Sequence, residues 1–547
     1  MLNTYLNSVM QWVSQLGVST PTSSRMGHNS STMLPIANIL IILFLWAIGY
    51  QIAYFFWDPN DLRRFPAPSC AGFTNLWSAY HSRMLRRSRA VFNAHQKLGS
   101  VIRIQPNHIS FADPRAVQDI YGHRSPILKS TFYKTISGGD SESIVSTLDR
   151  EEHAKKRRYL SNIFAQRNVI SMEPLIAQKV QYLLDRLDKA AEMNETIDIR
   201  QWLNYFTFDV ISALALGNDP DLLHEGDDKV MAESLEGESF VVNPIRAFQD
   251  STVHVAFLGH WPELLHIMKP LTKWWPNSKS GDDFEAMCVH QIRQRIRKPN
   301  VLSSQTLPFG DFFQHLLVDS KGHRRELPFR ELVQEAAVFL SVGSDTTASS
   351  MTNSFFLLLK HPHTLKRLRA ELNEVLCNSS IELTEQTSKS PVLRYGQVSC
   401  VKYLRACVDE GLRHLTPTSV GLQRMTPPQG AKIAGHWIKG GITVSVPTYT
   451  LHHDPVLFPE PFVFKPERWL EGKEEDRQNL KDFFIPFTLG KYSCIGRNIA
   501  YLEQYVVLST LVNRYEFILP EENFELPLQE RINANPGPMP VKVKRRS

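Results

Sequence analysis

The chain has 547 residues, 42% hydrophobic, 21% charged and 10% aromatic, with a formal net charge of +6. That is enough for one large catalytic domain or two to four small ones, and the composition excludes a collagen, a coiled coil or bulk disorder. Lys and Arg are scattered, which argues against a nucleic-acid partner; six cysteines without a CxxC pair argue against a zinc module or disulfide scaffold and fit a reducing compartment.

Residues 36–57 read IANILIILFLWAIGYQIAYFFW, a stretch without formal charge. At about 1.5 Å per residue its length matches a hydrocarbon core of about 30 Å. The expectation is a single transmembrane anchor, with residues 1–35 as a lumenal tail. A cleaved signal peptide fits poorly, because a long, mostly polar segment comes first and no Ala-x-Ala site follows. Arg63 and Arg64 follow the span and only Arg25 precedes it, which places the main body in the cytosol and the N-terminus in the lumen. Asn29-Ser30-Ser31 is a weak glycosylation signal. The prolines of Phe65-Pro66-Ala67-Pro68 make residues 58–68 a stiff linker. The catalytic domain is then 69–547.

Along that body, Val101, Ile102 and Ile104, then Ile109 and Phe111, predict two short strands about a Pro106-Asn107 turn, followed by a helix. From Glu151 to about Leu216 the pattern is helical. Residues 235–300 read as helical and aromatic, with breaks at Pro262, Pro270 and Pro276. Pro328 opens a run that reaches Lys360 before His361-Pro362 stops it, well above the mean helix length of about 12 residues. It predicts a buried central helix. Strands return between Ala431 and Val446, and a last helix covers roughly Ile495 to Tyr515. The whole is mainly α with small β-sheets, in a single domain.

The sharpest signal is Phe487-Thr488-Leu489-Gly490-Lys491-Tyr492-Ser493-Cys494-Ile495-Gly496. Gly490 permits a sharp loop, and Gly496 lets the chain approach a flat ligand. Cys494 stands just before a helix, where free N–H groups and the dipole favour a thiolate. Phe487 is placed to shield the sulfur. The bland alternative is a buried free cysteine. The spacing FxxGxxxCxG resembles the haem loop of the cytochrome P450 family, which implies a haem iron bound by Cys494.

Inside the long run stands Ser341-Val342-Gly343-Ser344-Asp345-Thr346-Thr347. A mid-helix glycine costs about 1 kcal/mol against alanine, so Gly343 is read as clearing a ligand's approach. Thr346 is read as opening the i−4 bond into a local bulge. This segment resembles the family's [AG]GxDTT, which implies that Asp345 and Thr346 are the acid and alcohol of a proton relay; Val342 replaces the usual alanine. Glu410-Gly411-Leu412-Arg413 resembles the ExxR pair, and Pro466-Glu467-Arg468-Trp469 the PERF segment. The resemblance implies a Glu410–Arg413–Arg468 network supporting the cysteine loop. His153 and Arg157 have the spacing of the propionate-binding helix. Tyr492 stands where the family usually has arginine, with Lys491 as the expected compensating charge.

The resemblance implies a triangular, mainly α fold, haem b as cofactor, and a monooxygenase reaction on a lipophilic small molecule such as a terpenoid or polyketide-like metabolite. It also implies electrons from an NADPH-cytochrome P450 reductase, with cytochrome b5 as a further donor, and membrane lipid as a partner. Lys155, Lys156 and Arg158 are expected to offer positive charge to the reductase. Segments 127–148, 235–268 and 417–423, with Val342, are expected to line the substrate pocket. Two rivals share parts of this pattern: a haem-thiolate isomerase or dehydratase, which needs no oxygen, and a non-catalytic haem-binding membrane protein.

Overall fold

Pro328 precedes a helix over Phe329–Lys360, 32 residues long, in a computed structural model that describes residues 49–137, 141–297, 310–319, 321–378 and 391–546. This long helix is buried along most of its length, as its apolar pattern predicts. The Ile199–Leu216 helix lies against it. Gly343 makes that approach possible: a Cβ there would stand 2.6 Å from Ile211 Cγ1 and 2.8 Å from Cδ1. The neighbour of Gly343 is therefore another helix, not the ligand expected from the sequence.

Helices form as read over Arg150–Ser161, Glu173–Glu192 and Ile199–Leu216. The 101–111 strands pair antiparallel, and the Arg115–Tyr121 helix follows. Thr443–Ser445 then pairs parallel with His108–Phe111, Arg424–Met425 pairs antiparallel with Thr443–Ser445, and Leu128–Lys129 closes the five-stranded sheet. In that last pairing Lys129 lies directly opposite Arg424. Topology alone thus puts two cations from distant parts of the chain side by side.

Three expectations need correction. Within 235–300, Ser239–Val242 is a strand paired with Val230–Glu233, where β-branched Val241 and Val242 suit a pleated surface. The helices here are Pro244–Leu258, Leu265–Leu271 with Pro270 inside it, and Pro276–Arg297. The last helix starts at Arg497, because Cys494 to Gly496 belong to the loop. Beyond it lie strands that the sequence did not announce. Tyr515–Ile518, Pro540–Arg545 and Thr196–Asp198 form one sheet, and Leu528–Glu530 pairs with Ala534–Pro536 in a C-terminal hairpin.

The compact body begins at Asp58. The 58–68 stretch is no free linker: Leu62 and Phe65 are buried in an apolar cluster with Ile433 and Ile438, and Arg103 N donates to Pro66 O at 2.8 Å. Residues 49–57 are helical. The lumenal tail, Asn29 and the anchor up to residue 48 lie outside the described residues. Among the described residues no helix is long and apolar enough to cross a membrane.

Gly343→Val would drive a branched side chain into Ile211 and should cost about 1–3 kcal/mol of stability. Ile211→Ala in the same chain should recover part of it. Equal denaturation midpoints for Gly343→Val and the parent chain would refute the packing role.

Candidate functional site

The cysteine loop is closed by its own backbone. Cys494 N donates to Phe487 O at 3.0 Å and Ser493 N to Gly490 O at 3.2 Å. Gly490 has φ +67°, and a Cβ there would meet Tyr121 O at 2.4 Å, so glycine is required twice over. At Gly496, which precedes the Arg497–Arg514 helix, a Cβ would meet only Cys494 Sγ, at 4.0 Å. Phe487 packs its ring 5.3 Å from Tyr501. Cys494 is accessible yet closely surrounded by protein, the combination of a group on an internal wall. Burial pushes its thiol up. The amides of Gly496 and Arg497 and the guanidiniums of Arg157 and Arg497 pull the other way and do not prevail. The amides at the helix start favour the thiolate, as the sequence reading expects, but burial outweighs them; a bound cation would tip the balance.

On one side of this loop lies a basic cluster. Arg157 Nη1 donates to Ser493 O at 2.7 Å and Nη2 to Ser493 Oγ at 3.2 Å. His153 is buried with its ring 4.7 Å from that of Tyr492. Burial, helped by Lys129, Arg157 and Arg424, holds His153 down to about 3, so it is neutral. Lys129 Nζ and Arg424 Cζ stand 5.2 Å and 5.1 Å from the Tyr492 ring centre. Burial, with Arg424 beside it, brings Lys129 down to about 7. Lys491 is not the compensating charge: its Nζ reaches Ser125 O at 3.3 Å. Sequence reasoning missed Lys129 and Arg424. A cation inside an otherwise apolar strand was the available signal, since such residues are rarely buried without purpose.

The Tyr492 hydroxyl is buried and has no partner among the described residues. A donor without an acceptor, on a ring with Lys129 and Arg424 at its face, suits a carboxylate. Together with an accessible sulfur and the open flank of Gly496, these residues fit a haem, which carries both a metal and two acid groups.

On the long helix, Val342 is 40% exposed in mid-helix. Thr346 Oγ1 donates to Val342 O at 2.8 Å, but the helix runs unbroken and the expected bulge is absent. Asp345 is buried and accepts from Asn535 Nδ2 at 2.7 and 2.8 Å, Asn533 Nδ2 at 2.9 Å and Gln249 Nε2 at 3.3 Å. Arg200 and Arg531 stand within electrostatic range. None of these partners was read from the sequence, because the hairpin that carries Asn533 and Asn535 was not.

The Glu–Arg pair forms as expected. Arg413 forks onto Glu410 at 2.9 and 2.8 Å, and Arg468 Nε reaches Glu410 Oε1 at 3.1 Å, all three residues being buried. Trp469 Nε1 adds a bond at 3.0 Å. A link to the loop runs through His452, which the sequence reading did not single out. Its carbonyl accepts from Arg413 Nη1 at 2.8 Å, and its Nε2 accepts from Ile485 N at 3.1 Å, two residues before Phe487. Lys156, expected at the surface, is instead buried between Glu331 and Glu335, at 2.5 and 3.1 Å. Lys155 and Arg158 are exposed.

A mainly helical body with small sheets, a cysteine loop at the start of its last long helix, and a buried Glu–Arg–Arg cluster define the class of haem-thiolate proteins. The family pattern Cytochrome P450 matches residues 69–543, and the chain belongs to that family. It is an oxidoreductase of the monooxygenase type. The chain is 29% identical to cytochrome P450 monooxygenase poxM of Penicillium oxalicum over 488 residues, 88% of this chain and 89% of that one. It is 30% identical to benzoate 4-monooxygenase bphA of Aspergillus niger over 521 residues, 92% and 96% of the two chains. The cytochrome P450DA heme domain has the same fold, with a TM-score of 0.68 at 19% identity, over 88% of this chain and 98% of that one.

His452 and His153 are both held near 3 by burial, against an ordinary value of 6.5. The unfolded chain therefore binds more protons between these values, so their contribution is complete above pH 6.5 and is lost as pH falls toward 3. Denaturation midpoints should drop across that window. His452→Gln should flatten the drop by up to about one proton; an unchanged slope would show that His452 is not held neutral.

Proposed function

We propose that this chain inserts one oxygen atom of O₂ into a lipophilic small molecule of specialised metabolism, with electrons from a separate NADPH-dependent reductase. The observation that carries the reading is the closed loop that presents an accessible Cys494 Sγ, in a chain whose long helix carries Val342, Asp345 and Thr346. Haem b, when bound, supplies an iron that takes up electrons and oxygen. Cys494 Sγ would be its ligand, and Arg157, Lys129, Arg424 and the Tyr492 hydroxyl would hold its carboxylates.

Glu410, Arg413 and Arg468 position the loop, with His452 as the connection. A desolvated pair that loses one member costs about 3–5 kcal/mol, so Glu410→Gln acts by loosening the loop. Phe487 keeps water from the sulfur. Thr346 and Asp345 are the proton donors of this reading: the Thr346 hydroxyl donates to Val342 O at 2.8 Å and would have to turn from that carbonyl to donate elsewhere. Thr346→Ala should leave the haem spectrum intact while NADPH use uncouples from product.

Support for the substrate class comes from the segments expected to line the pocket. Two of them touch: Phe132 packs where a Cβ on Gly259 would lie 2.4 Å from its ring, and Thr131 Oγ1 donates to Glu263 Oε1 at 3.2 Å. Phe132, Tyr133, Phe257 and Trp261 supply aromatic surface there, which suits an apolar substrate. A relative that acts on benzoate is compatible with an aromatic one. The test is incubation of membranes holding the chain and a reductase with candidate precursors, read by mass for a gain of oxygen. Turnover without oxygen would favour the isomerase reading.

The setting proposed is the endoplasmic reticulum membrane, with the body on the cytosolic side. Leu264, Ile267, Leu271 and Trp274 are exposed, with Lys269 and Lys273 among them. An apolar face edged by lysines suits a lipid surface. Brominated lipids should quench Trp274, so that Trp274→Phe loses a measurable share of the quenching; no loss would leave this face in water.

Cys494→Ala should abolish the long-shifted Soret band given by carbon monoxide on the reduced protein. Arg424→Leu should keep the band position but lower haem content about tenfold, as expected for loss of one buried charged hydrogen bond. Full haem content in Arg424→Leu would remove it from the carboxylate clamp.

A further inference from the structure

We propose that Asn535 is the positioning residue of the Asp345 carboxylate, and that a water in the adjoining polar cavity returns protons to Asp345 from a different side of the helix than Thr346. This deepens the relay proposed above and rests on it.

The first half follows from the clamp. Asn535 Nδ2 reaches both Asp345 oxygens, at 2.7 and 2.8 Å, and also Ser349 Oγ at 3.2 Å. A donor shared between both oxygens fixes the plane of the carboxylate as well as its place. The hairpin carrying Asn535 is itself tied down on both strands. Glu530 N donates to Leu85 O at 2.9 Å, Ala534 N to Pro417 O at 2.7 Å, and the Glu530 carboxylate accepts from Ser88 N and Oγ. Asp345 is thus held from outside its own helix, by an element with little freedom to move.

The second half follows from helix geometry. Successive residues are turned by about 100°. Ser341, Ser344 and Asp345 therefore share one face, whereas Val342 and Thr346 lie about 100–140° round from Ser341. Facing the first group is a cavity of about 10 Å³, lined by Asn204, Ser341, Ser344 and Asp345 between the rings of Phe208 and Phe248. That is room for about one water, which needs two to four polar partners. Ser341 Oγ and Ser344 Oγ donate to Ala337 O and Leu340 O, at 2.5 Å each, so their lone pairs are left to accept. Asp345 lies at the edge between the two faces. The water first gives a proton to an Asp345 oxygen and takes one from solvent in exchange, and the carboxylic acid so formed passes its proton toward Thr346 as Thr346 gives up its own. The charge on the carboxylate is unchanged over the cycle.

The test uses the haem-loaded full chain in membranes with reductase and NADPH, without added substrate. It reads the share of NADPH electrons recovered as hydrogen peroxide and the solvent deuterium isotope effect on NADPH use. Asp345→Asn is the reference for the relay. Asn535→Leu and Asn204→Leu should each raise the peroxide share about twofold or more and change the isotope effect, with the carbon monoxide band intact. Gln529→Leu, on the same hairpin, should do neither; its amide oxygen accepts only from Arg531 among the described residues. Asn535→Ser, too short to bridge both oxygens, takes the place of Asn535→Leu if that chain does not load haem. A silent Asp345→Asn refutes the relay itself. An active Asp345→Asn with a silent Asn535 variant, or a Gln529→Leu as strong as Asn535→Leu, overturns the positioning role. A silent Asn204→Leu beside an active Asn535 variant overturns the water.

Discussion

A carboxylate with no access to solvent has to be fully bonded, and Glu410 is. Its two oxygens take both arms of the Arg413 fork, Arg468 Nε, Trp469 Nε1 and the Lys465 amide. Each remaining arginine nitrogen then seeks carbonyls: Arg413 finds His452 and Pro461, and Arg468 finds Pro459. The charge cluster thereby fixes backbone at His452 and along Pro459 to Lys465 at once. His452 is the segment that matters for chemistry, because its ring accepts from Ile485 where the chain turns into the cysteine loop. That ring accepts only while neutral, and burial keeps it so. The shape of the cysteine loop thus depends on a buried ion pair some distance away, and such clusters are conformational devices more than sources of net stability.

The sheet does the corresponding work on the other side of the loop. Lys129 and Arg424 face each other across two short strands. Each is satisfied on its own account, Lys129 by the carbonyls of Ile144 and Val145, and Arg424 by Tyr133 and the Gln423 carbonyl. Neither needs an anion to be buried. Arg424 presents its charge to the Tyr492 ring, and Lys129, held down to about 7, adds its own when protonated, so positive potential exists before any anionic group arrives, a form of preorganisation.

How much of this was legible in the sequence depended on range. Local signals were reliable. Pro328 and His361-Pro362 marked the long helix, Gly490 the sharp turn, and i, i+3 spacing the Glu410–Arg413 pair. Failures came where a residue's neighbour lies far along the chain. Gly343 was read as clearance for a ligand because nothing local reveals Ile211. Lys156 was read as surface charge because Glu331 and Glu335 are in another helix. The C-terminal hairpin was missed because its strands are three residues each, preceded by Pro527 and ending at Pro536, with polar residues that weaken any alternation. With the hairpin went Asn533 and Asn535.

The Tyr492 position shows how such a protein absorbs a change in its own pattern. An arginine two residues before the cysteine would bring a charge on the loop itself, close to the sulfur. A tyrosine brings an aromatic face instead, and cations gather on that face: Lys129 and Arg424 lie near its ring centre, while His153 meets it edge-on. A ring's electron-rich face tolerates adjacent positive charge that another guanidinium would repel. The positive charge is therefore carried by the sheet, held by backbone carbonyls, and the loop supplies only a hydroxyl. Moving charge off the loop also leaves Arg157 as its principal cationic contact on this side, through Ser493. The loop is thereby anchored by a bond to its backbone rather than by repulsion balanced among neighbours, which lets the cysteine position be set by geometry and the pocket's charge be set separately.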